Sequence, residues 1–154
     1  MARWIDAWLP GAVPLRERGA WRGERLGLPE SGVSSVAGAG RRFAALTVDW
    51  LLGYLLALGF SGTGALGDPS FSFTVLGVWF LLSAVPVAVF GASAGKVALG
   101  IRVASLGSAA VVGVPRAVLR TLLVALVLPP LGRDADGRGW HDRAARTVVV
   151  RTRA

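Results

Sequence analysis

Residues 71–90 read FSFTVLGVWFLLSAVPVAVF and contain no charged side chain. A helix of that length rises about 30 Å, which is the thickness of the hydrocarbon core of a bilayer. A second apolar stretch, FAALTVDWLLGYLLALGF at residues 43–60, contains one charge, Asp49. Neither stretch shows the polar face of a helix on the surface of a soluble protein. The sequence therefore predicts an all-α membrane protein with two transmembrane helices.

A third apolar segment, AVLRTLLVALVLPPL at residues 117–131, is shorter than a regular span. As a helix it would reach about 22 Å, with Arg120 in its first turn. Two arrangements are open: a crossing that thins the bilayer, or a short re-entrant helix that returns to the side from which it entered. A re-entrant helix keeps the Arg-rich tail beside the other basic segments, so we expect that arrangement.

The positive charge lies outside the apolar stretches and predicts the topology. The chain has 17 Lys and Arg against nine Asp and Glu, a formal net charge of +8. The connection at residues 61–70 has no Lys or Arg. By the positive-inside rule, residues 1–40 are a cytoplasmic N-terminal tail and linker, and residues 41–151 are the membrane domain. The basic flanks lack the continuous, aromatic-interleaved face of a nucleic-acid binder, so no nucleic-acid partner is predicted.

Two short runs of β-branched residues predict a small cytoplasmic β-like cap beside the helices. Residues 97–103 favour a strand over a helix because they are β-branched and flanked by Gly. A second run, TVVVRT at residues 147–152, can pair with residues 99–104 if both lie on one side of the membrane. Such pairing would place the C-terminal tail in the cytoplasm.

Asp49 lies within the first predicted span, where an unpaired carboxylate costs about 2.5–3.5 kcal/mol. Arg42 lies on the same helical face but roughly 10 Å away along the axis, too far for direct contact. The two can share a partner from elsewhere, and the candidates are Arg116, Arg120 and Asp142. Such a cluster is either a proton or cation site or a fixed salt-bridge network that orients the helices.

The remaining polar motifs give one candidate residue and no catalytic site. His141 beside Asp142 is either a proton relay or a hydrogen-bonding loop residue. The segment GASAGKV at residues 91–97 lacks the first Gly and the Ser or Thr of a phosphate loop. With no Cys and one His, the chain has no cluster of soft metal ligands. We therefore predict no enzyme activity, no cofactor and no metal.

Three blocks of this sequence resemble the RDD family of bacterial membrane proteins, in the form found in actinobacteria. The blocks follow one another in the family's order and with sensible spacing. They are GRRFAALTVDWLL at residues 40–52, GASAGKVALGIRV at residues 91–103 and DGRGWHDRAARTVVV at residues 136–150.

The resemblance implies a polar cluster made of the Arg and the two Asp from which the family takes its name. They fall on Arg42, Asp49 and Asp142. If the three act together, Asp142 lies on the cytoplasmic side with Arg42. The chain departs from the family pattern at Trp140, where a smaller apolar residue is common, and at Arg146, where Gly is usual. The second departure puts a tight turn at that position in doubt.

The resemblance also implies a protein of the bacterial cell membrane, in contact with the lipid bilayer, and it implies no shared enzymatic activity. The charge distribution predicts that the N-terminus lies in the cytoplasm. Transport, including cation/proton exchange, has been suggested for members of the family. Two or three short helices bury too little surface to enclose a pathway, so a transport role predicts a homo-oligomer or a larger membrane partner. The alternative is a structural or interaction protein whose Arg-Asp-Asp cluster only fixes helix packing.

Overall fold

The computed structural model describes residues 19–107, 111–126 and 136–153. Two long helices dominate these residues: α1, Ala39–Ser61, and α2, Pro69–Phe90. Both are long and apolar enough to cross a membrane. Only 22% of the most apolar window of α1 and 33% of that of α2 is buried. Most of their apolar side chains face outward, as in helices surrounded by lipid rather than in the core of a soluble protein.

The two long helices form a hairpin that is packed through small residues of α1. A Cβ added to Gly53 would lie 2.9 Å from the Cβ of Trp79 in α2. One turn further along α1, Ala57 is fully buried in a cluster with Phe71 and Val75. Small side chains allow two helix backbones to approach closely in a membrane. The Gly53 and Ala57 pair therefore marks the face of α1 that packs against α2.

The remaining elements are short. A 3-10 turn at Glu24–Leu26 precedes α1, and a second at Thr63–Gly67 connects α1 to α2. The others follow α2 in the order α3 (Ala94–Ala98), β1 (Ile101–Ser105), α4 (Val114–Ala125), α5 (Trp140–Ala144) and β2 (Thr147–Arg151).

A two-stranded antiparallel sheet brings distant parts of the chain together. β1 pairs with β2 so that Val103 lies opposite Val149, which confirms the predicted pairing of the two β-branched runs. Residues 34–37 also form backbone hydrogen bonds along β2. The segment before α1, the segment after α2 and the C-terminal segment therefore meet at one end of the helical hairpin.

The prediction of a strand over residues 97–103 is wrong at its start. Residues 94–98 form the helical turn α3, and β1 begins at Ile101. The turn is held against α1 because the Gly95 backbone N–H donates a hydrogen bond to the Asp49 carboxylate. Gly100 then adopts a φ of 63° and redirects the chain into β1. Contacts with α1 therefore outweigh the β propensity of this segment.

The third apolar segment forms a short helix, α4, as the sequence predicts. α4 begins at Val114 rather than at residue 117, and its 12 residues rise about 18 Å. Its buried face consists of Ala117, Arg120 and Thr121, whereas Leu119 and Leu122 are exposed. Residues 127–131 of the predicted helix lie outside the described residues.

The main apolar core lies where the sheet meets the helices. It fills the space between the end of α2, both strands and the start of α4. Its larger members are Val87, Ile101, Val103, Val112 and Val149. This core fixes the sheet, and with it the C-terminal segment, against the hairpin.

Candidate functional site

Asp142 is the centre of a buried ion-pair network. Its side chain is 0% exposed. Arg42 Nη1, from α1, lies 3.0 Å from Asp142 Oδ2, and Arg120 Nε, from α4, lies 2.9 Å from Asp142 Oδ1. Asp142 itself lies in α5. The Asp142 network, defined as these three residues, therefore joins three helices that are far apart in the sequence.

Arg42 extends this network to the sheet. Its Nε donates a hydrogen bond to the Ala37 carbonyl oxygen at 3.0 Å, and its Nη2 donates to the Val149 carbonyl oxygen at 3.3 Å. These two oxygens belong to the segment before α1 and to β2. The planar guanidinium thus uses its several donors in fixed directions, which a single ammonium group would not do.

The Asp142 network is ionised and does not titrate near neutral pH. Burial raises the pKa of the Asp142 carboxyl, but attraction to Arg120 and the other nearby positive groups outweighs burial and holds that pKa below its ordinary value. Arg side chains stay protonated in proteins. Neither kind of group in the network therefore exchanges a proton at physiological pH.

His141 lies beside this network and is neutral at pH 7. Burial lowers the pKa of His141 to about 4, although attraction to Asp142 opposes the shift. Its Nε2 lies 3.6 Å from Asp142 Oδ2, and its buried Nδ1 has no hydrogen-bond partner among the described residues. A proton relay needs a group that titrates near the working pH. The lowered pKa therefore argues against a proton relay, and His141 lies in α5 rather than in a loop.

Asp49 has a different set of partners, which we name the Asp49 group. Asp49 is 2% exposed. Ser93 Oγ donates a hydrogen bond to its Oδ2 at 2.5 Å, and the Gly95 backbone N–H donates to its Oδ1 at 2.7 Å. Lys96 Nζ lies 3.5 Å from Oδ2 and also donates to Ser93 Oγ at 2.8 Å. All three partners come from the segment between α2 and β1.

Lys96 is the titratable cation of the Asp49 group. Burial lowers the pKa of Lys96 to about 8, the nearby Arg120 adds to this shift, and attraction to Asp49 opposes it. An ordinary Lys has a pKa near 10.4. Lys96 is therefore mostly protonated at pH 7 but releases its proton at a much lower pH than a solvent-exposed lysine.

Gly95 is required for the close approach of this segment to α1. A Cβ at this position would collide with the Ala45 carbonyl oxygen and would lie 2.9 Å from Asp49 Oδ1. The second glycine of GASAGKV, Gly95, therefore has a structural explanation that does not involve phosphate. The segment is folded around a carboxylate of the first helix.

The structure divides the predicted site residues between these groups. Arg42, Arg120 and Asp142 come together, with His141 beside them. Asp49 does not join them directly, because its cation among the described residues is Lys96.

Of the three candidates for a partner shared by Arg42 and Asp49, Asp142 binds Arg42, and none pairs with Asp49 among the described ion pairs. Arg120 binds Asp142, and Arg116 Nη1 donates a hydrogen bond to Ser105 Oγ at 2.9 Å. The two Arg lie one turn apart on α4, so the first lies beside the end of β1 whereas the second extends into the network. Lys96 is the functional candidate that the sequence analysis missed. Its signal is that the chain's single Lys lies in the second RDD-like block.

Lys96 and Arg120 connect the Asp49 group to the Asp142 network. Both line a cavity of about 20 Å³ with Ser83, Thr121 and Trp79. A cavity of this size accommodates one water molecule. The Ser83 hydroxyl and the Trp79 indole N–H are buried there without a hydrogen-bond partner among the described residues. Within the described ranges, no group of His, Cys, Asp and Glu residues is arranged to hold a metal ion.

Comparison with known proteins gives one family. The family model for the RDD family matches residues 36–146, a range that includes the Asp142 network and the Asp49 group. A comparison with curated proteins found no match, and neither did a comparison with solved structures.

Proposed function

Because this chain belongs to the RDD family, we propose that it is a non-enzymatic membrane module that assists ion movement, with Asp49 and Lys96 as its proton-exchanging pair. The observation that carries this proposal is the buried contact of 3.5 Å between Lys96 Nζ and Asp49 Oδ2. When Lys96 releases its proton, Asp49 remains as a buried anion without a countercharge. A cation that enters to neutralise Asp49 leaves again when Lys96 is protonated, so one proton exchanges for one positive charge.

The lowered pKa of Lys96 supports this exchange. With its pKa at about 8, the amine changes its protonation within the range that a cell experiences. The guanidinium groups of the neighbouring Asp142 network cannot do so. Among the described Lys and Arg ion pairs within the family match, the Asp49 group is thus the one in which a buried acid faces a Lys rather than an Arg.

The sheet supports a re-entrant α4 and a cytoplasmic C-terminal segment. β1 precedes α4 and β2 follows it, yet the two strands pair directly. The chain from β1 through α4 to β2 therefore begins and ends at the same end of the hairpin. In addition, α4 has 12 residues, which is too short for a regular crossing. By the positive-inside rule, we expect this Arg-rich end to lie on the cytoplasmic side of a bacterial cell membrane.

A transport role also requires further protein. Two spanning helices and one short helix cannot surround a pathway, so we propose that a second copy of this chain or a larger membrane partner completes it. The outward-facing apolar side chains of α1 and α2 provide surface for such contacts.

Flux measurements in proteoliposomes test the exchange. We expect the wild-type protein to couple a pH gradient to cation movement and Asp49→Asn to abolish that coupling. Asp68→Asn is the matched control, because Asp68 lies at the start of α2 and accepts its hydrogen bond from Ser70 in an exposed position. Lys96→Arg keeps the ion pair with a cation that does not titrate, so it should remain folded without exchanging protons. Full flux in Lys96→Arg would contradict the proposal.

The second candidate function is a structural clasp, and the Asp142 network favours it. Both oxygens of Asp142 are engaged by guanidinium groups, and the network joins α1, α4 and α5. If Asp49→Asn lowers only the thermal stability or the abundance of the protein, the clasp accounts for both carboxylates and the exchange proposal is wrong.

A further inference from the structure

A cleft of about 970 Å³ opens along one face of α1. Its wall on α1 runs from Ala39 to Tyr54, a distance of about 22 Å at the rise of an α-helix, and the part beyond Arg42 is about 18 Å long. One leaflet contributes half of a hydrocarbon core that is roughly 30 Å thick. The cleft therefore extends for about the depth of one leaflet, whereas a helix packed along the whole span would need a longer groove.

The walls of the cleft are mainly apolar and aromatic. Trp50 stacks on Trp79 with ring centroids 5.6 Å apart, and Tyr54 contacts Phe71 edge-on at 5.7 Å. Trp50 and Tyr54 nevertheless remain 42% and 40% exposed. A long wall of this kind is suited to an acyl chain that lies parallel to the helix.

One end of the cleft is cationic. Arg42, Lys96 and Arg120 line it, whereas their partners Asp49 and Asp142 are almost fully buried behind them and do not line it. Three positive charges against two negative charges leave a net charge of +1 at this end. The nearby imidazole adds nothing at neutral pH, since it is uncharged there.

We propose that this cleft holds an anionic phospholipid, with its phosphate at Arg42, Lys96 and Arg120 and an acyl chain along the aromatic wall. Guanidinium and ammonium groups are the usual protein ligands of phosphate. Basic pockets between transmembrane helices near the cytoplasmic surface are known to take anionic head groups. The phosphate neutralises the net charge of the cleft while the chain covers the apolar wall.

A phospholipid fits this cleft better than a helix from a second copy. An apolar helix would cover the three cations without bringing an anion, and an unneutralised charge is costly within a membrane. The lipid proposal does not depend on the exchange of protons at Lys96, because it requires only that the cationic end keeps its charge.

Fluorescence quenching by bromine-labelled lipids tests the proposal. The protein used is the full chain in vesicles, with Trp4, Trp8, Trp21 and Trp140 replaced by Phe so that Trp50 and Trp79, which line the cleft, report alone. Bromine on the acyl chains quenches a nearby indole. We expect bromine-labelled phosphatidylglycerol to bind about fivefold more tightly than bromine-labelled phosphatidylcholine, the ratio that one additional positive charge provides towards an anionic lipid.

Two pairs of variants locate the lipid. Thr47→Phe places a ring in the exposed wall of the cleft and should remove the preference, whereas Leu55→Phe, at an exposed position of α1 that does not line the cleft, should keep it. Lys96→Gln should abolish the preference, and Lys96→Arg should preserve it. Since Lys96→Arg is also expected to stop proton exchange, retained lipid preference without flux separates this proposal from the proposed function.

Three results would overturn the lipid proposal. The first is equal quenching by phosphatidylglycerol and phosphatidylcholine in the wild-type cleft. The second is a preference that survives Thr47→Phe as fully as Leu55→Phe. The third is a cross-link between Thr47→Cys residues of two copies that forms in the bilayer and excludes the brominated lipid, which would assign the cleft to a second copy of this chain.

Discussion

Two buried carboxylates of this protein, those of Asp49 and Asp142, differ in the kind of cation that holds them. Asp142 faces two guanidinium groups, Arg42 and Arg120. Asp49 faces a hydroxyl, a backbone N–H and one amine, that of Lys96. An Arg cannot lose its charge under physiological conditions, whereas a buried Lys can. The ion pairs of the Asp142 network therefore use cations that keep their charge, whereas the cation of the Asp49 group is one whose charge depends on pH.

The difference also changes what happens when either acid is removed. Without Asp142, two buried guanidinium groups keep their charges and lose their anion. Without Asp49, Lys96 can release its proton and become neutral, because burial already lowers its pKa to about 8. A buried group that can neutralise avoids most of the cost of an unpaired charge. The comparison thus predicts unequal effects of two chemically identical substitutions.

Asp142→Asn should have the largest effect on stability. Removing one partner of a buried salt bridge costs about 3–5 kcal/mol. Asp49→Asn should cost about 1–3 kcal/mol, because an Asn amide can still accept from the Gly95 N–H and donate to Ser93 Oγ. Denaturant unfolding of the purified protein in detergent measures both. A larger loss for Asp49→Asn than for Asp142→Asn would reverse the comparison.

The sequence allowed the two long helices and the two β-branched runs to be predicted from local composition, whereas the pairing of the runs was predicted only if both lie on one side of the membrane. An uncharged stretch such as residues 71–90 has few alternatives to a span. The β-branched runs at β1 and β2 likewise carry their own signal. The helical turn α3 could not be predicted, since it depends on a hydrogen bond from Gly95 to a carboxylate on another helix.

The site was predictable in its members but not in its pairings. The charges within and beside the spans identify Arg42, Asp49, Arg120 and Asp142, since buried charges need partners. Which cation binds which acid depends on how α4 and α5 pack, and periodicity along one helix does not contain that information. Lys96 was missed for the same reason, because only the fold brings its segment back against α1.

The second prediction concerns pH: acidification should destabilise the folded protein through His141, which lies beside the Asp142 network. His141 is neutral in the folded protein, with its pKa lowered to about 4, whereas the unfolded chain takes up a proton near pH 6.5. The unfolded state therefore binds more protons between these values, and stability should fall as the pH drops from 6.5 to 4. The full loss is about 3 kcal/mol, with roughly 2 kcal/mol reached at pH 5. Unfolding midpoints measured across this range test it.

His141→Gln provides the control for the pH dependence. A Gln side chain does not titrate, so the variant should show a flatter profile between pH 6.5 and 5, where few carboxylates change their charge. A profile that stays equally steep in His141→Gln would assign the loss to another group and would leave His141 without a part in the pH response.

Gly95→Ala should lower the stability of the protein at the Asp49 group without changing any charge. The added methyl group would collide with the Ala45 carbonyl oxygen and press on Asp49, so we expect a loss of about 2 kcal/mol from overpacking. Gly59→Ala in α1 is the matched control, because no heavy atom lies within 4 Å of its added Cβ. Ala is the better helix former, so the control should gain up to about 1 kcal/mol. Equal stabilities for both variants would show that α3 does not need its close approach to α1.

Arg146→Gly should give the smallest effect, and a favourable one. Arg146 forms the turn between α5 and β2 with a φ of 51°, so the tight turn exists although the residue is not Gly. The left-handed conformation costs an L-residue about 1–2 kcal/mol, and the greater flexibility of Gly in the unfolded chain returns part of that gain. We expect Arg146→Gly to stabilise the protein by less than about 1 kcal/mol. Arg146→Ala removes the charge but keeps the strain, so it should bring no gain. If both variants stabilise the protein equally, the gain comes from removing the positive charge of the exposed Arg146, and the strain of the turn contributes nothing measurable.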